Sequence, residues 1–217
     1  MTKQTQAPLA PARILVLVSG EGSNMKAIVE AARAPYWGGK VVAVGADREC
    51  AGLEWAAEQE IPTFCHPFTR GTDDARGDRA QWDRELAELM AEYEPDMVVC
   101  AGYLKLLGSA VLERFEGRIV NTHNSLLPSF PGVRGPADAI EAGVKLAGAT
   151  LFIVDPGLDT GAIVAQVAVP VEDDDDADSL LARIKIAEQK QLVEAVGRMI
   201  REGWTINGRR VRYGVEG

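Results

Sequence analysis

Asn121 and His123 stand two residues apart at the end of a short expected strand, residues 118–121. In extended chain, residues two apart point to the same side, so an amide and an imidazole converge there. Imidazole titrates near neutrality and can give or take a proton, while an amide offers a neutral donor and acceptor. The chain has two histidines, and the other, His66, precedes Pro67 in a loop with no companion motif. His123 is therefore the better acid–base candidate, set against the plainer reading of a structural histidine. Farther on, Asp155 and Asp159 frame the turn Pro156-Gly157-Leu158, followed by Thr160-Gly161. An Asp in such a turn ordinarily serves backbone hydrogen bonds; read with His123, it can instead be an acid–base partner.

A second constellation is Gly20-Glu21-Gly22-Ser23-Asn24, after a buried apolar run and at the start of a helical pattern. Such a turn aims backbone N–H groups at an anion, with the helix dipole assisting. The alternative is a tight turn in which Ser23 or Asn24 merely caps the helix. A dinucleotide site competes, because Asp47 ends the second apolar run about where a ribose-binding acid would stand. The third position of that fingerprint is Met25 rather than Gly, and its side chain would push the helix away from a pyrophosphate. A single phosphate group suits the turn better. Arg79, beside a helix start at Asp78, can add positive charge to that phosphate or simply face solvent. Glu188 falls on an otherwise apolar helical stripe, a costly place unless the carboxylate is paired or partly solvated in a cleft. The acidic run 172–176 lacks the spaced ligands and turn glycine of a calcium loop and reads as a solvated loop. Cys65 and His66 are adjacent, and no paired Cys or His has ligand spacing, so no metal site is expected.

The elements that must position these residues alternate strand and helix. Residues 13–19 hold five consecutive aliphatic side chains, the pattern of a strand buried on both faces. Met25, Ile28, Val29 and Ala32 repeat at helical spacing, and residues 41–45 form the next strand, completing a βαβ unit. A helix around Leu53, Ala56 and Ala57 and a short strand at 61–65 follow, then a polar loop at 69–77. Asp78 and Gln81 have the spacing of a capping box, ahead of an apolar face at Trp82, Leu86, Leu89 and Tyr93. Strands at 97–101 and 118–121 flank a loop and helix at 102–115, and a long loop with three prolines covers 126–136. A short helix at 137–142 ends at Gly143, and strands at 149–154 and 163–169 are expected to be antiparallel. A long helix spans 179–202 with Leu181, Ile184, Leu192, Ala195 and Met199 on one stripe, and 205–213 straddles Asn207-Gly208 as a type I′ hairpin. The expected fold is α/β: a Rossmann-like, mostly parallel sheet with helices on both faces, antiparallel late strands and a long C-terminal helix.

Composition narrows the partners. A net charge of -9 without any Lys/Arg cluster argues against a nucleic-acid surface and for a small ligand. No apolar run reaches the ~18 residues of a membrane span, and residues 1–12 fail as a secretory signal and read as a disordered tail. Cys50, Cys65 and Cys100 are odd in number and widely spaced, which suits reduced thiols in the cytoplasm.

Taken in order, Gly20-x-Gly22-Ser23-Asn24, Asn121-x-His123-x-Ser125-Leu126-Leu127-Pro128 and Leu158-Asp159-x-Gly161 resemble the glycinamide ribonucleotide formyltransferases, from about Arg13 to the last helix. The resemblance implies a single formyltransferase domain over 13–217 that moves a formyl group from 10-formyltetrahydrofolate, a co-substrate, to glycinamide ribonucleotide. It implies a catalytic set of Asn121, His123 and Asp159, and phosphate binding by Gly22, Ser23, Asn24 and Arg79. Glu188 would meet the ribose, and Leu104, Lys105, Leu106, Leu107, Val154 and Pro156 would form the folate pocket. Both partners are then small molecules, with no nucleic acid, membrane or metal; a homodimer stays open. Two departures stand out: Asn124 where the family commonly has Pro, and the stretch Val133-Arg134-Gly135.

Three rivals remain. A methionyl-tRNA formyltransferase should carry a further nucleic-acid-binding domain. A formyltetrahydrofolate hydrolase would leave the phosphate-binding turn unexplained. A non-catalytic nucleotide-binding module of Rossmann type would bind nucleotide without transferring formyl groups.

Overall fold

The structure, a computed structural model, describes the backbone of residues 2–8, 10–68 and 75–214, and the side chains of all of these except 75–78. Two compact units are formed, one of residues 8–120 and one of residues 121–217 together with 1–7. Strand β1 (Thr2–Thr5), within the stretch expected to be a disordered tail, adds to the sheet of the second unit.

The first unit alternates β2 (Ala12–Val18), α1 (Ser23–Ala32), β3 (Gly39–Ala46), α2 (Ala51–Glu58), β4 (Thr63–Cys65), α3 (Ala75–Ala91), β5 (Met97–Cys100) and α4 (Ser109–Arg114). Its strands lie in the order β5-β2-β3-β4 and all pair in parallel. Strand β2 is central, and Ile14 through Val18 have no solvent exposure, which is why its sequence is aliphatic at every position instead of alternating. Met25 and Ile28 of α1 and Leu86 and Met90 of α3 are likewise buried. Helix α3 starts earlier than expected: Asp78 lies inside it, because Ala75 and Arg76 are good helix formers and extend the pattern towards the N-terminus. The expected loop at 69–77 lies outside the described residues as far as 74, as does the side chain of Asp78.

Strand β6 (Ile119–His123) ends in the second unit, which continues with α5 (Gly135–Glu141), β7 (Leu146–Ile153), β8 (Ile163–Pro170), α6 (Ala177–Glu202), β9 (Trp204–Asn207) and β10 (Arg210–Tyr213). The strand order is β6-β7-β8-β10-β9-β1. β7 and β8 are antiparallel, as expected, and so are β9 with β10 and β1 with β9. The last hairpin is shifted by one residue: Asn207 pairs with Arg210, and Gly208-Arg209 form the loop. Only Gly208 of those two has positive φ (58°), the requirement of a turn with Gly at its first loop position. The buried stripe of α6 runs Leu180, Ile184, Glu188, Leu192, Ala195 and Met199, so it begins at Leu180 rather than at Leu181. Among the described residues no helix is long and apolar enough to cross a membrane.

The acidic run before α6 does more than solvate a loop. Asp176 caps the helix, accepting from the backbone of Asp178 and Ser179, while Ser179 Oγ accepts from the Asp176 N–H. Asp175 accepts from both terminal amines of Arg183, from Ser179 Oγ and from the Glu172 N–H. The Arg183 guanidinium, foremost among these, holds the Asp175 carboxyl well below the usual carboxylate range. A depressed carboxyl stabilises the fold fully above its unfolded pKa, about 3.9, and the contribution is lost as pH falls below that value. Asp175→Asn is expected to flatten the acid side of the stability profile, so that Tm falls less steeply between about pH 4 and 2 than in the parent protein.

Candidate active site

Strand β6 leaves the apolar core after Ile119 and Val120, both buried, and its last three residues alternate sides. Thr122 points one way, donating from Oγ1 to Glu188 Oε1 at 2.8 Å. His123 lies on the face shared with Asn121, as the spacing predicts. Its Nε2 is 2.9 Å from the carbonyl oxygen of Phe130. A carbonyl only accepts, so Nε2 carries a proton and Nδ1 is left as the exchanging nitrogen. That Nδ1 lies 3.9 Å from Asp159 Oδ2, an ion-pair distance when the imidazole is protonated. The two side chains are 12% and 10% exposed, so the pair is largely withdrawn from water.

Asp159 and Asp155, equivalent in the sequence, divide their work. Asp155 Oδ1 accepts from the Gly157 N–H at 3.1 Å and from Thr160 Oγ1 at 2.6 Å, the ordinary turn role. Asp159 instead faces His123 and accepts the Gly132 N–H at 2.8 Å. Asp159 and Phe130 both have left-handed backbones, with φ of 54° and 53°. Asp tolerates that region; a bulky Phe does so only where its surroundings impose it, and here its carbonyl takes the imidazole N–H. Gly161 is required because a Cβ there would stand 1.7 Å from the Ile153 carbonyl oxygen.

Glu188 is only 3% exposed, and its carboxylate is paired. Besides Thr122, the Asn124 amide, turned so that nitrogen rather than oxygen meets the carboxylate, donates to its two oxygens at 3.0 and 3.3 Å. Asn124 thus ties the residue after His123 to α6 by a side chain. Its own carbonyl packs against Gly135, where a Cβ would come within 2.5 Å. Val133, by contrast, is 93% exposed, and Arg134 pairs with Asp138 and Glu141.

Two residues that sequence reasoning missed hold the loop that follows His123. Thr150 of β7, fully buried, donates to the Ser125 carbonyl at 2.6 Å and accepts the Leu127 N–H at 3.0 Å. Gln166, its register partner on β8, donates to Thr150 Oγ1 and to the Leu127 carbonyl. Their signal was a polar residue at the centre of each of two apolar strands. Thr150→Val would leave a buried N–H and a buried C=O unmatched, and a loss of about 2–3 kcal/mol in unfolding free energy is expected by denaturant titration, with reduced activity.

In the first unit, Gly22 is the N-cap of α1, with φ of 68° and no side-chain cap bond, so neither Ser23 nor Asn24 caps the helix. A Cβ on Gly22 would meet Met25 Cε at 2.9 Å, and Met25 is fully buried. The side chain at the third fingerprint position therefore occupies the space that a third glycine would leave. Asp47 is buried and bonded to Arg48; burial pushes its carboxyl up, but Arg48, with the Ser19 hydroxyl, outweighs it and holds it below the usual range. Arg79 sits one turn inside α3 rather than at its start, with its guanidinium 4.7 Å from the Trp82 ring centre and 5.4 Å from that of Phe68. It also donates to the Leu106 carbonyl. Leu104 and Leu106 are exposed, Lys105 and Leu107 half-buried, and in the second unit Val154 is half-buried and Pro156 exposed.

A proton-carrying imidazole, with a carboxylate 3.9 Å from its second nitrogen and an amide two residues away on the same strand, can donate and accept protons at one place. Residues 12–196 match the model of the formyl transferase family. The phosphoribosylglycinamide formyltransferase of Mycobacterium tuberculosis is 47% identical over 212 residues, 95% of this chain and 94% of that protein. The crystal structure of glycinamide ribonucleotide transformylase 1 from Symbiobacterium toebii superposes with a TM-score of 0.87 at 37% identity, covering 94% of both chains. A formyltetrahydrofolate deformylase from Burkholderia mallei shares the fold at a TM-score of 0.82 and 26% identity, over 94% of this chain and 70% of that one. The chain belongs to the formyl transferase family, in its phosphoribosylglycinamide formyltransferase branch.

Proposed function

We propose that this chain transfers the formyl group of 10-formyltetrahydrofolate to the amine of glycinamide ribonucleotide, a step of de novo purine biosynthesis, and that residues 13–217 work as a single formyltransferase domain. The observation that carries this reading is the approach of His123 Nδ1 to Asp159 Oδ2 at 3.9 Å, with Asn121 on the same face of β6. The neutral amine attacks the formyl carbon and negative charge builds on the formyl oxygen. Asn121 and protonated His123, through Nδ1, donate to that oxygen, a kind of contact worth ~3 kcal/mol of barrier. Asp159 pairs with the imidazolium and, through a water, passes the proton lost by the amine towards the departing folate nitrogen.

Gly22, Ser23, Asn24 and Arg79 are assigned to the substrate phosphate, with the α1 N-terminus supplying N–H groups. Glu188, already oriented by Thr122 and Asn124, is assigned to the ribose hydroxyls. Leu104, Lys105, Leu106, Leu107, Val154 and Pro156 are assigned to the folate, which comes and goes as a co-substrate; no metal takes part in the scheme. Cys50, Cys65 and Cys100 are all free thiols, which supports a cytoplasmic location.

The likeness to a deformylase makes hydrolysis the reading to test against. Purified protein is incubated with 10-formyltetrahydrofolate, with and without glycinamide ribonucleotide. Transfer predicts a formylated amide and little formate when the amine is omitted; formate released at the same rate without the amine overturns it.

A further inference from the structure

Residues 102–108 follow β5 without regular secondary structure, yet their backbone is fastened at three points. The Leu104 N–H donates to Ser19 Oγ at 2.9 Å. Ser19 lies one residue beyond the Val18–Ala46 pair of β2 and β3, hence beside Asp47, and its hydroxyl helps to hold the Asp47 carboxyl in the charged form. Asp47 is fixed in turn by Arg48 Nη2 at 2.7 Å. At the far end, the buried carboxylate of Asp83 accepts from the N–H groups of Gly108, Ala110 and Val111 at 2.6, 2.8 and 3.3 Å, capping α4 from another helix. Gly108 permits this approach, since a Cβ there would lie 2.5 Å from the Asp83 carboxyl carbon. Between the two, the Leu106 carbonyl accepts from Arg79.

Such fastening on a surface segment is costly in entropy and serves little unless the segment must keep one shape. What it presents is apolar: Leu104 and Leu106 are 68% and 65% exposed on a backbone held by these bonds. We infer that Ser19, backed by Asp47, and Asp83 are positioning residues that preorganise this segment for the folate co-substrate. This inference rests on the assignment of that segment to the folate in the proposed function. None of the three touches the reacting atoms; they act through the backbone that they hold.

The test uses Ser19→Ala, Asp83→Asn and, as the conservative control, Ser19→Thr, which keeps the hydroxyl. Backbone amide exchange in 102–108 and the KM for each substrate are measured in the full chain. Ser19→Ala and Asp83→Asn should each speed exchange of the segment and raise KM for 10-formyltetrahydrofolate about tenfold, with kcat and KM for glycinamide ribonucleotide within about twofold. Ser19→Thr should restore both. Equal rises in both KM values, or faster exchange with unchanged folate KM, overturn the inference. If the parent protein transfers no formyl group, the functional reading and the folate part of the inference fail together, and unchanged exchange in the variants would separately remove the fastening role.

Discussion

Asp159→Asn should leave folding and substrate binding nearly intact and lower turnover by about 10³-fold. The replacement is nearly isosteric, Asn tolerates the left-handed backbone at this position, and an amide oxygen can still accept the Gly132 N–H now bonded at 2.8 Å. What disappears is a negative charge 3.9 Å from His123 Nδ1 and an acceptor for the proton released by the amine. The loss should therefore fall on kcat, with substrate Kd and Tm close to those of the parent protein. Turnover near the parent value in this variant would remove Asp159 from the mechanism.

His123→Ala should also cost about 10³-fold in turnover, because it removes the donor to the developing oxyanion and the group that Asp159 serves. It differs from Asp159→Asn in having a structural cost. The Phe130 carbonyl loses its donor, and Tm is expected to fall by a few degrees, corresponding to roughly 1–2 kcal/mol. The two residues act as one unit, so the double variant should turn over within about tenfold of the slower single variant. A double variant slowed by the product of the two single effects would show that they act independently.

Much of the scaffold was legible because burial imposes a period. Residues 14–18 are aliphatic at every position because β2 is covered on both faces, and α6 shows its stripe because one side of it is packed. The same rule misses by one at Leu181, where two neighbouring leucines fit a helical face about equally well and only packing selects Leu180. Strand β1 was illegible for a different reason: Thr2, Lys3, Gln4 and Thr5 are polar, and what orders them is main-chain pairing with β9, which leaves no hydrophobic pattern. At the site, the two-residue spacing of Asn121 and His123 was readable from strand geometry alone. Asp159 could not be told from Asp155 by composition, and only the resemblance singled it out; the difference lies in a left-handed residue that turns one carboxylate towards His123. Thr150 and Gln166 were missed because their role depends on the register of two strands and on a loop that neither adjoins in sequence.

The most direct test of the proposed chemistry is the protonation of one ring. In a ¹⁵N NMR titration of the labelled protein, with His66 replaced to leave a single imidazole, neutral His123 should be the Nε2–H tautomer, with the signal of Nδ1 moving as the ring gains its second proton. That nitrogen is the one the account gives to the formyl oxygen and to Asp159. A neutral ring protonated at Nδ1, with Nε2 titrating, would contradict it.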